Sequence, residues 1–193
     1  MFELLGCQIT VPPAHMSAIV RTESSSNPYA IGVVGHYLSR QPSSEAEALE
    51  VITQLQSDGH NYSVGLAQVN KVNFGRYLSK DKLFSRCENL LAGSKILKAC
   101  YDKHQDWKKA YSCYYSGNPV TGFRHGYVQK VLKNLKKPLL TSTSVASYAS
   151  LQPIKIIPRK SSKPAAATVT AASQVQPLSL KQRRLSANLS ITH

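Results

Sequence analysis

The stretch Met16-Ser17-Ala18-Ile19-Val20-Arg21-Thr22-Glu23-Ser24-Ser25-Ser26-Asn27-Pro28 decides how the rest of the chain is read. Met16, Ile19, Val20 and Glu23 recur at i, i+3, i+4 and i+7, so on a helix the carboxyl shares the face that turns inward. Asn27-Pro28 predicts the stop, because the residue before proline is pushed out of the α region and Ser and Asn side chains compete for backbone groups. Glu23 is therefore expected in the last helical turn, facing an opening. A carboxyl held against apolar groups has its charged form disfavoured, which is the condition a general acid near neutral pH requires. Taken alone, the stretch also fits a solvated Glu at a frayed helix end.

Working outward, Pro12-Pro13 suits a first helical turn. Tyr29 to Val34 and His36 to Leu38, broken at Gly35, have the β-branched and aromatic content of a small hairpin. Ser44-x-x-Glu47 reads as a capping box that opens a helix with Ala48, Val51, Ile52 and Leu55 on one stripe, ended by Gly59. Asn61 to Asn70 is polar and broken by Gly65, and reads as a loop pinned by Leu66 and Val69. Asn89 to about His104 reads as a helix that buries Leu90, Leu91, Ile96, Leu97, Cys100 and Tyr101. Trp107, Ala110, Tyr111 and Tyr114 repeat the helical spacing up to Gly117, and Phe123, Tyr127, Val131 and Leu135 predict one last helix. The fold class expected is mainly α (α+β): a helical domain over residues 1–137 with a small β-hairpin beside the groove.

Charge divides the chain differently. All 10 acidic residues lie at or before Asp106, whereas residues 138–193 carry seven Lys and Arg and no acid, half of the net charge of +14. From Pro138 the composition turns to Ser, Thr, Ala, Pro, Gln and Lys, with short apolar islands at Leu139-Leu140 and Ile154 to Ile157. Such a segment buries too little to offset its chain entropy and is expected to be a disordered basic tail, with Lys181 to Arg184 as a charged docking patch. The basic balance suits an anionic partner such as cell-wall polymer, a membrane surface or nucleic acid. A specific nucleic-acid function is disfavoured by the acid-containing first half and by the lack of a nucleic-acid motif. No apolar run reaches the ~18 residues of a membrane span. The N-terminal MFELLGCQITVPP lacks a basic segment followed by a long apolar one, so no export signal is read in it. Cys7, Cys87, Cys100 and Cys113 form no C-x-x-C pair, which disfavours a zinc cluster, and no cofactor is implied.

Four blocks, in order, resemble the soluble lytic transglycosylases of peptidoglycan, a family that shares its core with goose-type lysozyme. They are Glu23-Ser24 with Asn27-Pro28-x-Ala30, Gly65-Leu66-Ala67-Gln68-Val69-Asn70, Tyr114-Tyr115-Ser116-Gly117-Asn118, and Tyr127-Val128-Gln129-Lys130-Val131. Ala30 to Val34, Tyr62 to Asn70 and Ser112 to Asn118 more narrowly resemble the transglycosylase component of type IV secretion and conjugation systems. The resemblance covers roughly residues 13–133 and leaves the tail outside. It departs from the wider family at Ala67, usually Met, and at Tyr115, usually Asn; both suit the secretion-associated subgroup.

The resemblance implies a lysozyme-like fold, a periplasmic or envelope location, and glycan strands and secretion components as partners, with a monomer favoured. Glu23 becomes the lone catalytic acid/base, supported by Ser24. Gln68 lines the sugar groove, and Tyr114 takes the place of the tyrosine that bonds to the catalytic carboxyl. Asn70, Tyr115, Asn118 and Tyr127 belong to the substrate-binding or orienting set. A one-acid mechanism agrees with residues 24–44, which contain no Asp or Glu. Ordinary glycosidases set two carboxyls ~5 to 9.5 Å apart, whereas a transglycosylase uses the substrate's own groups. The alternatives are a water-using muramidase with Asp58 as base and an inactive glycan-binding scaffold. An exported chain meets an oxidising compartment, so one disulfide is expected: Cys87 with Cys100, or Cys100 with Cys113 as the rival.

Overall fold

The computed structural model describes residues 2–141 and 153–159. Strands β1 (Phe2–Leu4) and β2 (Cys7–Ile9) open the chain as an antiparallel hairpin with Leu4 opposite Cys7. Leu5 and Gly6 both have positive φ, 57° and 78°, the handedness that a two-residue turn needs to match the twist of its strands. Cys7 and Ile9 are buried and Gln8 is exposed, so the mildly apolar N-terminal residues form a half-buried ribbon.

Helix α1 (Pro13–Ser24) follows, with Pro13 at its first position. Met16, Ile19 and Val20 are fully buried, as their spacing predicts. The helix stops three residues before Asn27, because Ser25 and Ser26 take positive φ, 52° and 67°. Asn27 shapes the turn beyond it: its Oδ1 accepts from the Tyr29 amide at 2.8 Å and its Nδ2 donates to Pro42 O at 3.2 Å.

The strands expected at 29–38 form as β3 (Ile31–Val33) and β4 (His36–Leu38), but they do not pair with each other. β3 pairs with β5 (Tyr62–Val64), which pairs in turn with β6 (Val69–Asn70), giving the order β3-β5-β6. Residues 62–70, expected as a loop, are thus a second hairpin, buried throughout. β4 pairs with β7 (Ile156–Pro158), Leu38 facing Ile156.

Parts of the segment beyond the boundary expected at 137/138 pack on the domain. Pro138 O accepts from Arg21 at 2.5 Å, the Leu140 amide donates to the Ser17 hydroxyl at 3.2 Å, and Leu140 is buried. The apolar islands are the docked points: Ile154 and Ile156 pack against the core. The rest of the segment read as a disordered tail, and its Lys181 to Arg184 patch, lie outside the described residues.

Helix α2 (Glu45–Ser57) buries the expected Ala48, Val51, Ile52 and Leu55. Its capping box is half formed: the Ser44 hydroxyl accepts from the Glu47 amide, while the Glu47 carboxylate accepts from the Ser43 amide and from Arg40. Helices α3 (Arg86–His104) and α4 (Trp107–Ser116) form a hairpin turned at Gln105. Trp107 stacks between Tyr101 and His15, at 4.1 and 3.7 Å between ring centroids. The single last helix expected over 123–135 is two, α5 (Thr121–Arg124) and α6 (Tyr127–Leu135), parted by Gly126 at φ 70°.

Two disulfides join Cys7 to Cys87 and Cys100 to Cys113. The bridge expected between Cys87 and Cys100 does not form, because both lie on α3, thirteen residues and therefore ~20 Å apart along its axis. A disulfide spans at most ~7 Å between Cα atoms. The rival pairing, across the α3–α4 hairpin, is the one present.

Candidate active site

Glu23 sits half-buried in the last turn of α1, one residue before the chain leaves the helix. Its Oε1 accepts a hydrogen bond of 2.7 Å from the Tyr127 hydroxyl, reached across 104 residues of sequence. Tyr127 is the first residue of α6, so the break at Gly126 is what turns its side chain toward α1. Alongside, the Asn134 amide donates to the Thr22 hydroxyl at 3.0 Å and fixes α6 on α1 near the carboxyl. Ser25 and Ser26, which follow the end of α1, hold positive φ, a conformation that costs about 1–2 kcal/mol per residue.

Tyr115 completes the arrangement. Its ring is stacked on that of Tyr127, with centroids 4.5 Å apart and planes 20° from parallel. On the other side its hydroxyl lies 3.3 Å from His125 Nδ1, and the His125 ring meets it nearly edge-on at 83°. The structure therefore brings together Glu23, Tyr127 and Tyr115 from three different helices, and adds His125, which sequence reasoning missed. The signal for it was weak: an isolated His two residues before Tyr127, on the turn between what was read as one helix.

The other motif residues are placed differently. The bond to the Glu23 carboxyl expected of Tyr114 is made by Tyr127, while the Tyr114 hydroxyl donates to Ala67 O at 2.6 Å. Gln68, at φ 48° and buried, donates from Nε2 to Ala30 O at 2.8 Å and Gly65 O at 3.1 Å. It holds the β5–β6 turn against the backbone after α1, where sequence reading expected it in the groove lining. Asn70 bonds to Ser63 Oγ and accepts from the Val72 amide, and Asn118 accepts from the Val120 and Thr121 amides. Both shape turns. The Ser24 hydroxyl is buried and donates back to Val20 O at 3.0 Å, inside its own helix.

Asn89 is a second residue that sequence reading missed. Almost wholly buried, it accepts from the Ala67 amide at 2.8 Å and donates to Val64 O at 3.0 Å and Leu83 O at 3.2 Å. Its side chain lies so close under Gly65 that a Cβ there would stand 2.3 Å from Asn89 Nδ2. Gly93 is equally constrained: a Cβ would stand 2.4 Å from that of Ala67 and 3.1 Å from the Tyr114 hydroxyl. Only glycine lets α3 approach the turn so closely. The small Ala67, a departure from the family pattern, is what that approach accommodates.

Asp58, weighed as a second acid, caps α2 and accepts from Gln54 at 3.0 Å. Among the described residues no group of three or more His, Cys, Asp or Glu side chains is placed to hold a metal ion, and no helix is long and apolar enough to cross a membrane.

A mainly helical domain with small antiparallel sheets and a half-buried Glu at a helix end belongs to the lysozyme-like class. Within it, the chain is a member of the transglycosylase SLT domain family, which residues 1–136 match. It is similar to the type IV secretion system protein virB1 of Brucella abortus, 40% identical over 172 residues that span 77% of this chain and 72% of that protein. The Brucella suis protein of the same name is 39% identical over 181 residues, 86% of this chain and 71% of that one. Protein virB1 of Agrobacterium tumefaciens is 32% identical over 135 residues, 65% of this chain and 56% of that protein. No solved structure matches the chain.

Proposed function

We propose that the protein is a peptidoglycan lytic transglycosylase that cleaves the β-1,4 bond between N-acetylmuramic acid and N-acetylglucosamine and leaves a 1,6-anhydromuramoyl end, opening the wall locally for a type IV secretion apparatus. The observation that carries the reading is the Tyr127–Glu23 bond at the end of α1 in a chain of this family. A donor fixed at Oε1 restrains the rotation of the carboxyl, and orientation of this kind is what a general acid–base step needs.

Protonated Glu23 donates to the glycosidic oxygen as the bond breaks, and the substrate's own N-acetyl group stabilises the cationic sugar. The carboxylate then takes the proton from the muramoyl 6-hydroxyl as that oxygen closes on C1. Glu23 ends protonated, as it began, and no water is consumed. A retaining or inverting hydrolase instead needs a second carboxyl beside the bond; Asp58, the acid weighed for that part, is engaged at the end of α2.

The secretion role follows from the names of the Brucella and Agrobacterium relatives. A periplasmic setting is supported by the closure of all four cysteines into two disulfides, which persist in oxidising compartments.

Digestion of purified peptidoglycan tests the reaction. Muropeptides ending in 1,6-anhydro-N-acetylmuramic acid are expected, lighter by one water than ordinary reducing ends. Reducing ends that take up label from heavy-oxygen water mark a muramidase, and binding without cleavage marks a scaffold.

A further inference from the structure

We infer that His125 is a positioning residue for catalysis: with Tyr115 it fixes the ring of Tyr127 and so the direction in which Glu23 presents its proton. The inference rests on the reading of Glu23 as the catalytic acid.

The geometry runs in one line. His125 closes α5, and Gly126, at φ 70°, turns the chain directly into Tyr127. His125 is exposed, yet its ring turns inward to the Tyr115 hydroxyl, 3.3 Å from Nδ1. Tyr115, buried on α4, lies flat against Tyr127 at 4.5 Å, and Tyr127 donates to Glu23 at 2.7 Å. Tyr127 is thus held by two routes that share one histidine: the backbone turn on which both sit, and the stacked ring of Tyr115.

A stacked pair fixes the plane of a ring but leaves it able to slide within that plane, since offset arrangements differ little in energy. A hydrogen bond at the rim of Tyr115 removes that slide. The hydroxyl of Tyr127 then stays within the short range of directions over which its bond to Oε1 is strong.

A double-mutant cycle on peptidoglycan turnover tests the inference. His125→Ala is expected to lower kcat per folded molecule roughly 3- to 10-fold, the size of one neutral hydrogen bond, with KM unchanged and the melting temperature lowered by no more than about 4 °C. Tyr127→Phe is expected to lower kcat by at least as much, and His125→Ala added to Tyr127→Phe to cost nothing further, because the hydroxyl that the histidine directs is already absent. His125→Gln, which retains a hydrogen-bonding side chain, is expected to recover most of the rate. A kcat equal to wild type in His125→Ala overturns the inference. So does a change confined to KM, an equal loss in both backgrounds, or a loss that vanishes when turnover is counted per folded molecule. Wild-type protein and Glu23→Gln are assayed alongside: equal turnover by those two overturns the assignment of Glu23 itself, separately from the role of His125.

Discussion

Two groups of motif residues meet in this fold and use their hydrogen bonds in opposite ways. Around Glu23, the bonds run from side chain to side chain between helices: Tyr127 to Glu23, Tyr115 with His125, Asn134 to Thr22. Around Ala67, they run from side chain to backbone: Gln68 to Ala30 and Gly65, Tyr114 to Ala67, and Asn89 to Ala67, Val64 and Leu83. A side chain that bonds to backbone holds a turn in place, whereas a half-buried carboxyl held by a neighbour's hydroxyl is oriented. The residues around Glu23 thus differ from those around Ala67, which hold the frame, and on the proposed reading the first group is the one that carries chemistry.

The division fails or stands first at Glu23. Glu23→Gln keeps shape and removes the exchangeable proton, so turnover is expected to fall ~10²- to 10⁴-fold while the thermal midpoint stays within about 2 °C, as for a partly exposed isosteric change. Parallel melting curves and peptidoglycan assays check both halves. Residual activity near that of wild type removes Glu23 from the chemistry.

Asn89→Ala probes the other group and is expected to give the reverse signature. It leaves the Ala67 amide and the Val64 and Leu83 carbonyls without their buried partner. One such orphaned group costs ~1–3 kcal/mol. The expected loss is about 2–4 kcal/mol, a fall of roughly 5–12 °C in a chain of this size. Turnover per folded molecule should stay within about 3-fold of wild type, since no group that exchanges a proton is touched. A large rate loss with an unchanged midpoint would join the two groups into one.

Legibility in the sequence follows the same line. Glu23 was readable because helical periodicity is local: Met16, Ile19 and Val20 announce the buried face by themselves. The stripes of α2 and α4 were readable for the same reason. Pairing is not local, and there the sequence was silent. His36 to Leu38 has the composition of a strand, but nothing in it says that its partner lies at Ile156 to Pro158, 120 residues away. Cys7, in a stretch without periodic pattern, gave no sign that it faces Cys87. The choice between Tyr114 and Tyr127 as donor to Glu23 likewise turns on the break at Gly126, which a continuous apolar spacing from Phe123 to Leu135 concealed. Residues 62–70 looked too polar for strands because their amides and hydroxyls are satisfied internally, by Gln68, Asn70 and Asn89.

Tyr114→Phe sharpens the division at its least obvious member, the tyrosine expected from sequence to orient the acid. It removes one buried donor and leaves Ala67 O with one partner fewer, so about 1 kcal/mol of stability and 2–4 °C of midpoint are expected to go. The rate should change by no more than about 2-fold, less than the loss of an orienting hydrogen bond. A tenfold fall in kcat at an unchanged midpoint would move Tyr114 into the chemical group.

The smallest effect compares two glutamates. Glu47, like Glu23, is held by partners, but those partners are Arg40 and the Ser43 amide, and they bring its pKa down to about 2 from the ordinary 4.5. A carboxylate held low in this way stabilises the folded state above its unfolded pKa, and the contribution is lost as pH falls from about 4.5 through about 2. The pair stands at the protein's edge, with side chains 19% and 22% exposed, so solvent screening limits its worth to about 1 kcal/mol. Glu47→Gln removes the titration and keeps an acceptor for the Ser43 amide. Near pH 7 the variant is expected to melt roughly 2–4 °C below wild type, and the two curves should converge on acidification toward pH 2. A gap that stays constant with pH would mean that Glu47 contributes through packing alone.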